Sequence, residues 1–122
     1  MSDSHAIIEK LRDYDRQFRA ILDLIGNKSR LMGEAKAQAH ELLRELKDNL
    51  DRDCRELKER EQELSQDERG YLEPALSKAM AYLTVPVNTT SGSKWRDTLN
   101  YSHVDITWTL NELERARPND RQ

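Results

Sequence analysis

The sequence predicts an all-α fold: an elongated antiparallel bundle of three to four helices, built on a long helical hairpin with coiled-coil character. Three observations carry this. Apolar residues recur at spacings of three and four along most of the chain, which lines them up on one face of a helix. Apolar residues make up only 36% and charged residues 35% of the 122 positions, against roughly 45–50% and 25% in ordinary domains. Long amphipathic helices suit that shortage, because each buries only a narrow stripe. Gly26, Gly70, Pro86 and Gly92 fall between the periodic stretches, and Pro118 lies in the carboxy-terminal tail. The length fits one domain, residues 1–122.

The first helix is expected at about 4–25. Ser2, Asp3 and Ser4 are acceptable N-caps. Ile7, Leu11, Tyr14, Phe18, Ile21 and Ile25 then follow at alternating gaps of four and three, a heptad seam that Ile8 and Leu22 widen. Gly26 suits the left-handed position after a helix, and Asn27 or Ser29 can cap the next one.

The second helix is expected at about 29–66, starting near Ser29 or after Gly33. At 1.5 Å per residue it would be on the order of 50 Å long, and the first helix could cover only part of it. Ala35, Ala37 and Ala39 permit close approach of a neighbour. Further on, "LLRELKDNLDRDCRELKEREQEL" (42–64) sets Leu43, Leu50, Leu57 and Leu64 seven residues apart. A parallel zipper wants apolar residues at both seam positions. Asp53, Arg60 and Glu61 interrupt this one, so a leucine-zipper dimer is disfavoured. The acid-first pairs Asp48–Arg52, Asp51–Arg55 and Glu56–Arg60 support an exposed helix, at roughly 0.2–0.5 kcal/mol each. The stretch is expected to be a spine on which later helices dock.

Gly70 weakens a helix, and Pro74 suits the first turn of a new one. The third helix is therefore expected at about 72–84, with Leu72, Ala75, Leu76, Ala79, Met80 and Leu83 on one face and Pro86 stopping it. An exposed loop at 84–93, a fourth helix at 93–115 and a polar tail at 116–122 complete the chain. Helices 3 and 4 are expected to pack along the distal part of helix 2.

The fourth helix carries two apolar faces. Wound at about 100° per residue, Trp95, Leu99, Ile106, Leu110 and Leu113 share one arc of about 60°. Tyr101, Val104 and Trp108 share another on the opposite side. Either the helix is sandwiched between two neighbours, or this second face is open to a partner.

Several function classes are disfavoured. With 20 basic and 23 acidic residues the net charge is −3, which supplies no global field for nucleic acid or an anionic membrane. No apolar run approaches the 18 or so residues of a membrane span. The lone Cys54 forbids an internal disulfide. MSDSHAIIEK lacks a basic region followed by an apolar one, so a cytoplasmic location is expected. Neither GxxxxGK[ST] nor GxGxxG occurs, and His5, His40 and His103 are far apart with no HExxH or ExxH. No catalytic residue, cofactor or metal is expected. Ser102 and His103, as helix neighbours, diverge rather than pair, and His103 is expected to cap the edge of the core.

The expected function is thus a non-catalytic helical protein–protein interaction module: an adaptor, regulator, inhibitor or chaperone-like subunit. Its contact residues are expected to be Tyr101, Val104 and Trp108, with Leu57 and Leu64 second. The partner is another protein or a second copy, with no membrane. The alternative is a nucleic-acid-associated regulator using Arg12, Arg16 and Arg19 on one face of helix 1, with Lys28 and Arg30 beyond. Pairing of these arginines with nearby acids is the plainer account. An enzyme with an inter-helix site ranks third.

Overall fold

The computed structural model describes residues 3–28, 30–83 and 92–115. Most of the expected loop, 84–91, and the tail, 116–122, lie outside the described residues. Among these residues there are four α-helices: α1 (Asp3–Ile25), α2 (Gly33–Glu59), α3 (Glu73–Leu83) and α4 (Gly92–Arg115). A 3-10 turn (Glu61–Glu63) and a π-helical turn (Glu68–Leu72) join α2 to α3. No strand occurs among the described residues.

The chain forms an all-α helical bundle. Each helix packs on two others: α1 on α2 and α4, and α3 on α2 and α4. Their order around the bundle is therefore α1, α2, α3, α4. Cross-helix contacts give the directions. Tyr14 meets Asp53 while Gln17 meets Asn49, so α1 and α2 are antiparallel. Arg12 meets Glu114 while Arg96 reaches the carbonyls of Gly26 and Lys28, so α4 runs antiparallel to α1. The result is an up-down-up-down four-helix arrangement.

Helix 4 was expected along α2; it docks on α1 and α3 instead. The 23 residues of α1 and the 24 of α4 carry apolar stripes of matching extent, so pairing them buries both from end to end. Every residue of the two expected stripes is buried: Ile7, Leu11, Tyr14, Phe18, Ile21 and Ile25 from α1, and Trp95, Leu99, Ile106, Leu110 and Leu113 from α4. Leu43, Leu46, Leu50 and Leu57 of α2 join them, with Leu72, Leu76, Ala79 and Leu83 from the third arm.

The turns follow local rules. Gly26 adopts φ +53° and its N–H donates to Leu22 O at 2.8 Å, closing α1 in the left-handed conformation a glycine allows. Gly33, at φ +64°, opens α2. Arg96 Nη1 donates to Gly26 O (3.0 Å) and Lys28 O (2.9 Å), satisfying carbonyls just beyond the end of α1 with a cation.

Helix α2 stops at Glu59, seven residues short of the expected Gln66. A competing start explains the early stop. Ser65 Oγ accepts from Glu68 N at 3.1 Å, and Glu68 Oε1 accepts from Ser65 N at 2.9 Å. This reciprocal capping box launches a new helix from "SQDE". Arg60 then turns away from Glu56, its expected partner, and binds Glu68 at 3.0 Å. The third arm thus begins before α3 proper, and Pro74, the second residue of α3, sits in its first turn as expected. The π-helical turn accommodates it: Glu73 N bonds to Glu68 O, five residues back, and the proline follows that widened turn.

Candidate functional site

One face of α4 turns outward. Tyr101 is 61% exposed, Val104 58% and Trp108 67%. Trp95, Leu99 and Ile106 on the same helix are fully buried. Among the described residues no second helix covers this stripe: α1 and α3 flank α4, and the stripe lies between them facing away from the core. Tyr82 of α3, 46% exposed, extends the patch by stacking on Tyr101 with ring centroids 6.0 Å apart. Lys78 Nζ and Asp105 Oδ1, 4.0 Å apart, border it on the α3 side. Large aromatic side chains left in water together are uncommon on monomeric proteins and mark contact sites. Sequence reasoning missed Tyr82, because periodicity within one helix says nothing of a ring donated by its neighbour.

The second pair of expected contact residues lies elsewhere. Leu57 points inward and is buried, so it belongs to the core rather than to a partner surface. It lines a cleft of about 120 Å³ with Ile7, Leu72 and Leu76, into which Lys10, Asp53, Arg60 and Glu68 also reach. Leu64 is partly buried against the core, where the 3-10 turn draws it in. The physical reason is the third arm, which comes back over the seam these leucines form.

The basic arc on helix 1 is occupied by acids of this chain. Arg12 pairs with Glu114 of α4 and, at 3.0 Å, with Glu9. Its guanidinium is raised above its ordinary pKa, mainly through the hydrogen bond to Glu114. Arg16 pairs with Asp13 at 3.3 Å, and Arg19 with Asp15 at 2.9 Å. Lys28 and Arg30 are exposed in the α1–α2 connection.

Asp53, which interrupts the leucine seam, is buried in the structure, with its side chain 8% exposed. It accepts the Tyr14 hydroxyl at 2.5 Å, and Lys10 Nζ stands 3.3 Å away. Burial, then the bond to Asp53, pushes the Tyr14 hydroxyl well above the usual phenol range, so it stays a donor. The expected helix pairs fare unevenly. Asp51–Arg55 forms, whereas Arg52 turns to Asn49 and Asp53 rather than Asp48.

His103 sits where the sequence suggested, at the core edge. It stacks on Phe18 with centroids 4.9 Å apart, and its Nε2 lies 2.6 Å from Asp15 Oδ1. Its neighbour Ser102 is fully buried and donates to Ala79 O at 2.8 Å, which ties α4 to α3. Cys54 is half-buried, and burial followed by Asp53, Glu73 and Asp51 raises its thiol pKa, so the nucleophilic thiolate is disfavoured. His40 packs near the Trp95 ring at 5.3 Å. Among the described residues no three of His, Cys, Asp and Glu come together to hold a metal ion. No helix there is long and apolar enough to cross a membrane.

Comparisons of the chain with protein-family models, with curated proteins and with solved structures found no match.

Proposed function

We propose that this chain is a non-catalytic helical module that binds protein through the outward face of α4, acting as an adaptor, regulator, inhibitor or chaperone-like subunit. One observation supports this above the others. A single helix holds an ordinary buried stripe and, on its opposite side, Tyr101, Val104 and Trp108, each more than half exposed. Tyrosine and tryptophan anchor interfaces because they bury large areas with few rotatable bonds. In the proposed mechanism the two rings and the valine enter a partner's apolar groove, and the flanking charges set orientation. A cytoplasmic setting belongs to the proposal, on the strength of the single cysteine.

Nucleic-acid binding through helix 1 is the weaker reading, since Arg12, Arg16 and Arg19 are each engaged by a carboxylate. The test is capture from a cell extract on immobilised chain, with Trp108→Glu as the comparison. A protein retained by the unmodified chain and lost with the variant, at equal helicity, is the expected result. Identical capture by both baits overturns the reading.

A further inference from the structure

Two charged residues lie in line with the exposed aromatic face, one at each end. Asp97 and Arg115 are both exposed, and neither side chain makes an ion pair or hydrogen bond among the described residues. Together with the apolar anchors they form the series Asp97, Tyr101, Val104, Trp108, Asn111, Arg115, with gaps of four, three, four, three and four. That is a heptad seam about 27 Å long on the outward side of α4. All six of its residues are exposed. Residue by residue, then, α4 carries one seam into its own bundle and a second one out of it.

The order of charges along the outer seam selects an occupant. An acid stands at its amino-terminal end, a base at its carboxy-terminal end, and the apolar anchors lie between. A copy of the same seam laid antiparallel answers this pattern at every step. Asp97 meets the other copy's Arg115 at both ends, Tyr101 faces Asn111, and Val104 packs on Trp108. A two-fold axis generates each contact twice. Laid parallel, the seam would oppose aspartate to aspartate and arginine to arginine, which repel. Asp105, on the flank, would approach its own symmetry mate near the axis. Lys78, 4.0 Å from Asp105, supplies a countercharge there.

We infer that the outer face of α4 pairs with α4 of a second copy of this chain, antiparallel, with Asp97 of each copy against Arg115 of the other. The inference rests on the interaction reading above and names its partner.

Light scattering with sedimentation equilibrium over a dilution series tests it. The unmodified 14.3 kDa chain gives a mass twice its own at high concentration and falls toward its own mass on dilution. Trp108→Glu abolishes the dimer at unchanged circular dichroism. Asp97→Arg alone weakens it at least tenfold, because two arginines then meet at each end. Asp97→Arg combined with Arg115→Asp restores it, because each end again holds opposite charges. A monomer mass at every concentration overturns the pairing, and so does a dimer indifferent to Trp108→Glu. A dimer that Asp97→Arg disrupts and the double exchange fails to rescue overturns the antiparallel register. A monomeric chain leaves the wider interaction reading to the capture comparison, where the two fail separately.

Discussion

The Tyr14 hydroxyl donates to Asp53 Oδ2 at 2.5 Å across the seam between α1 and α2, 39 positions apart in the chain. Around them the seam is apolar, with Leu11, Leu46, Leu50 and Leu57 buried on either side. A slip of either helix by one heptad would set Asp53 against Ile7 or Ile21 in place of the Tyr14 hydroxyl, which is strongly unfavourable for a buried carboxylate. This polar contact therefore specifies how the first hairpin is aligned.

Removing the hydroxyl should accordingly matter more than its size suggests. Tyr14→Phe leaves a buried carboxylate with Lys10 as its remaining cross-helix donor, and stability should fall by about 1–3 kcal/mol. Tyr14→Phe combined with Asp53→Leu removes both polar partners and should recover much of that loss. Urea unfolding of the single and double variants measures the coupling. Additive losses within about 0.5 kcal/mol would show that the two groups do not act together.

The start of the third arm makes a second prediction. Ser65→Ala removes the acceptor for the Glu68 amide and should cost about 1 kcal/mol. The loss should be local first: amide exchange at 66–69 should quicken before the rest of the bundle responds. Unchanged exchange there would mean that packing, not the cap, starts this helix.

Some parts of this fold are legible in the sequence and others are not. Both expected core stripes, from Ile7 to Ile25 and from Trp95 to Leu113, are buried as their spacing required. Burial of a stripe is a property of one helix, and one sequence window contains it. The order of helices around the bundle is not such a property, since any stripe of matching length can receive α4. The role of Asp53 was hidden for the same reason: its donor belongs to another helix. The break at Glu59 was legible in principle, because Ser65 and Glu68 stand at capping-box spacing, but the charged run on both sides also fits a continuous exposed helix. At the candidate site, the two faces of α4 could be read from period alone. Which of them lacked a neighbour depended on where α1 and α3 went.

The contact between Asp15 of α1 and His103 of α4 should give the fold an acid-sensitive component. Burial pushes the Asp15 carboxyl upward, but the bonds from His103 and Arg19 outweigh it, and the net shift is downward. A carboxyl lower in the folded chain than in the unfolded one contributes stability that is fully present above the ordinary carboxylate range, near pH 4. That contribution is lost as pH falls through the folded value. Asp15→Asn should therefore be less stable than the unmodified chain at neutral pH, with the gap narrowing below about pH 4. Chemical unfolding at several pH values between neutrality and strong acid reads this directly. A gap that stays constant across the series would remove Asp15 from the acid response.

The two tryptophans provide the cleanest separation of core from surface. Trp95 is fully buried, and its indole N–H has no hydrogen-bond partner among the described residues; Trp108 is 67% exposed on the opposite side of the same helix. Trp95→Ala leaves a large cavity between α4 and its neighbours and should cost about 3–5 kcal/mol, a large share of the stability of a domain this size. Trp95→Phe should cost less, since it keeps an aromatic ring in place and removes the unpaired N–H. Trp108→Ala, measured on dilute chain so that no partner contributes, should change stability by no more than about 0.5 kcal/mol. Thermal and urea unfolding of the three variants separate these outcomes. A Trp108→Ala variant as damaged as Trp95→Ala would mean that the outward face is core after all, and the interaction surface would have to be sought elsewhere.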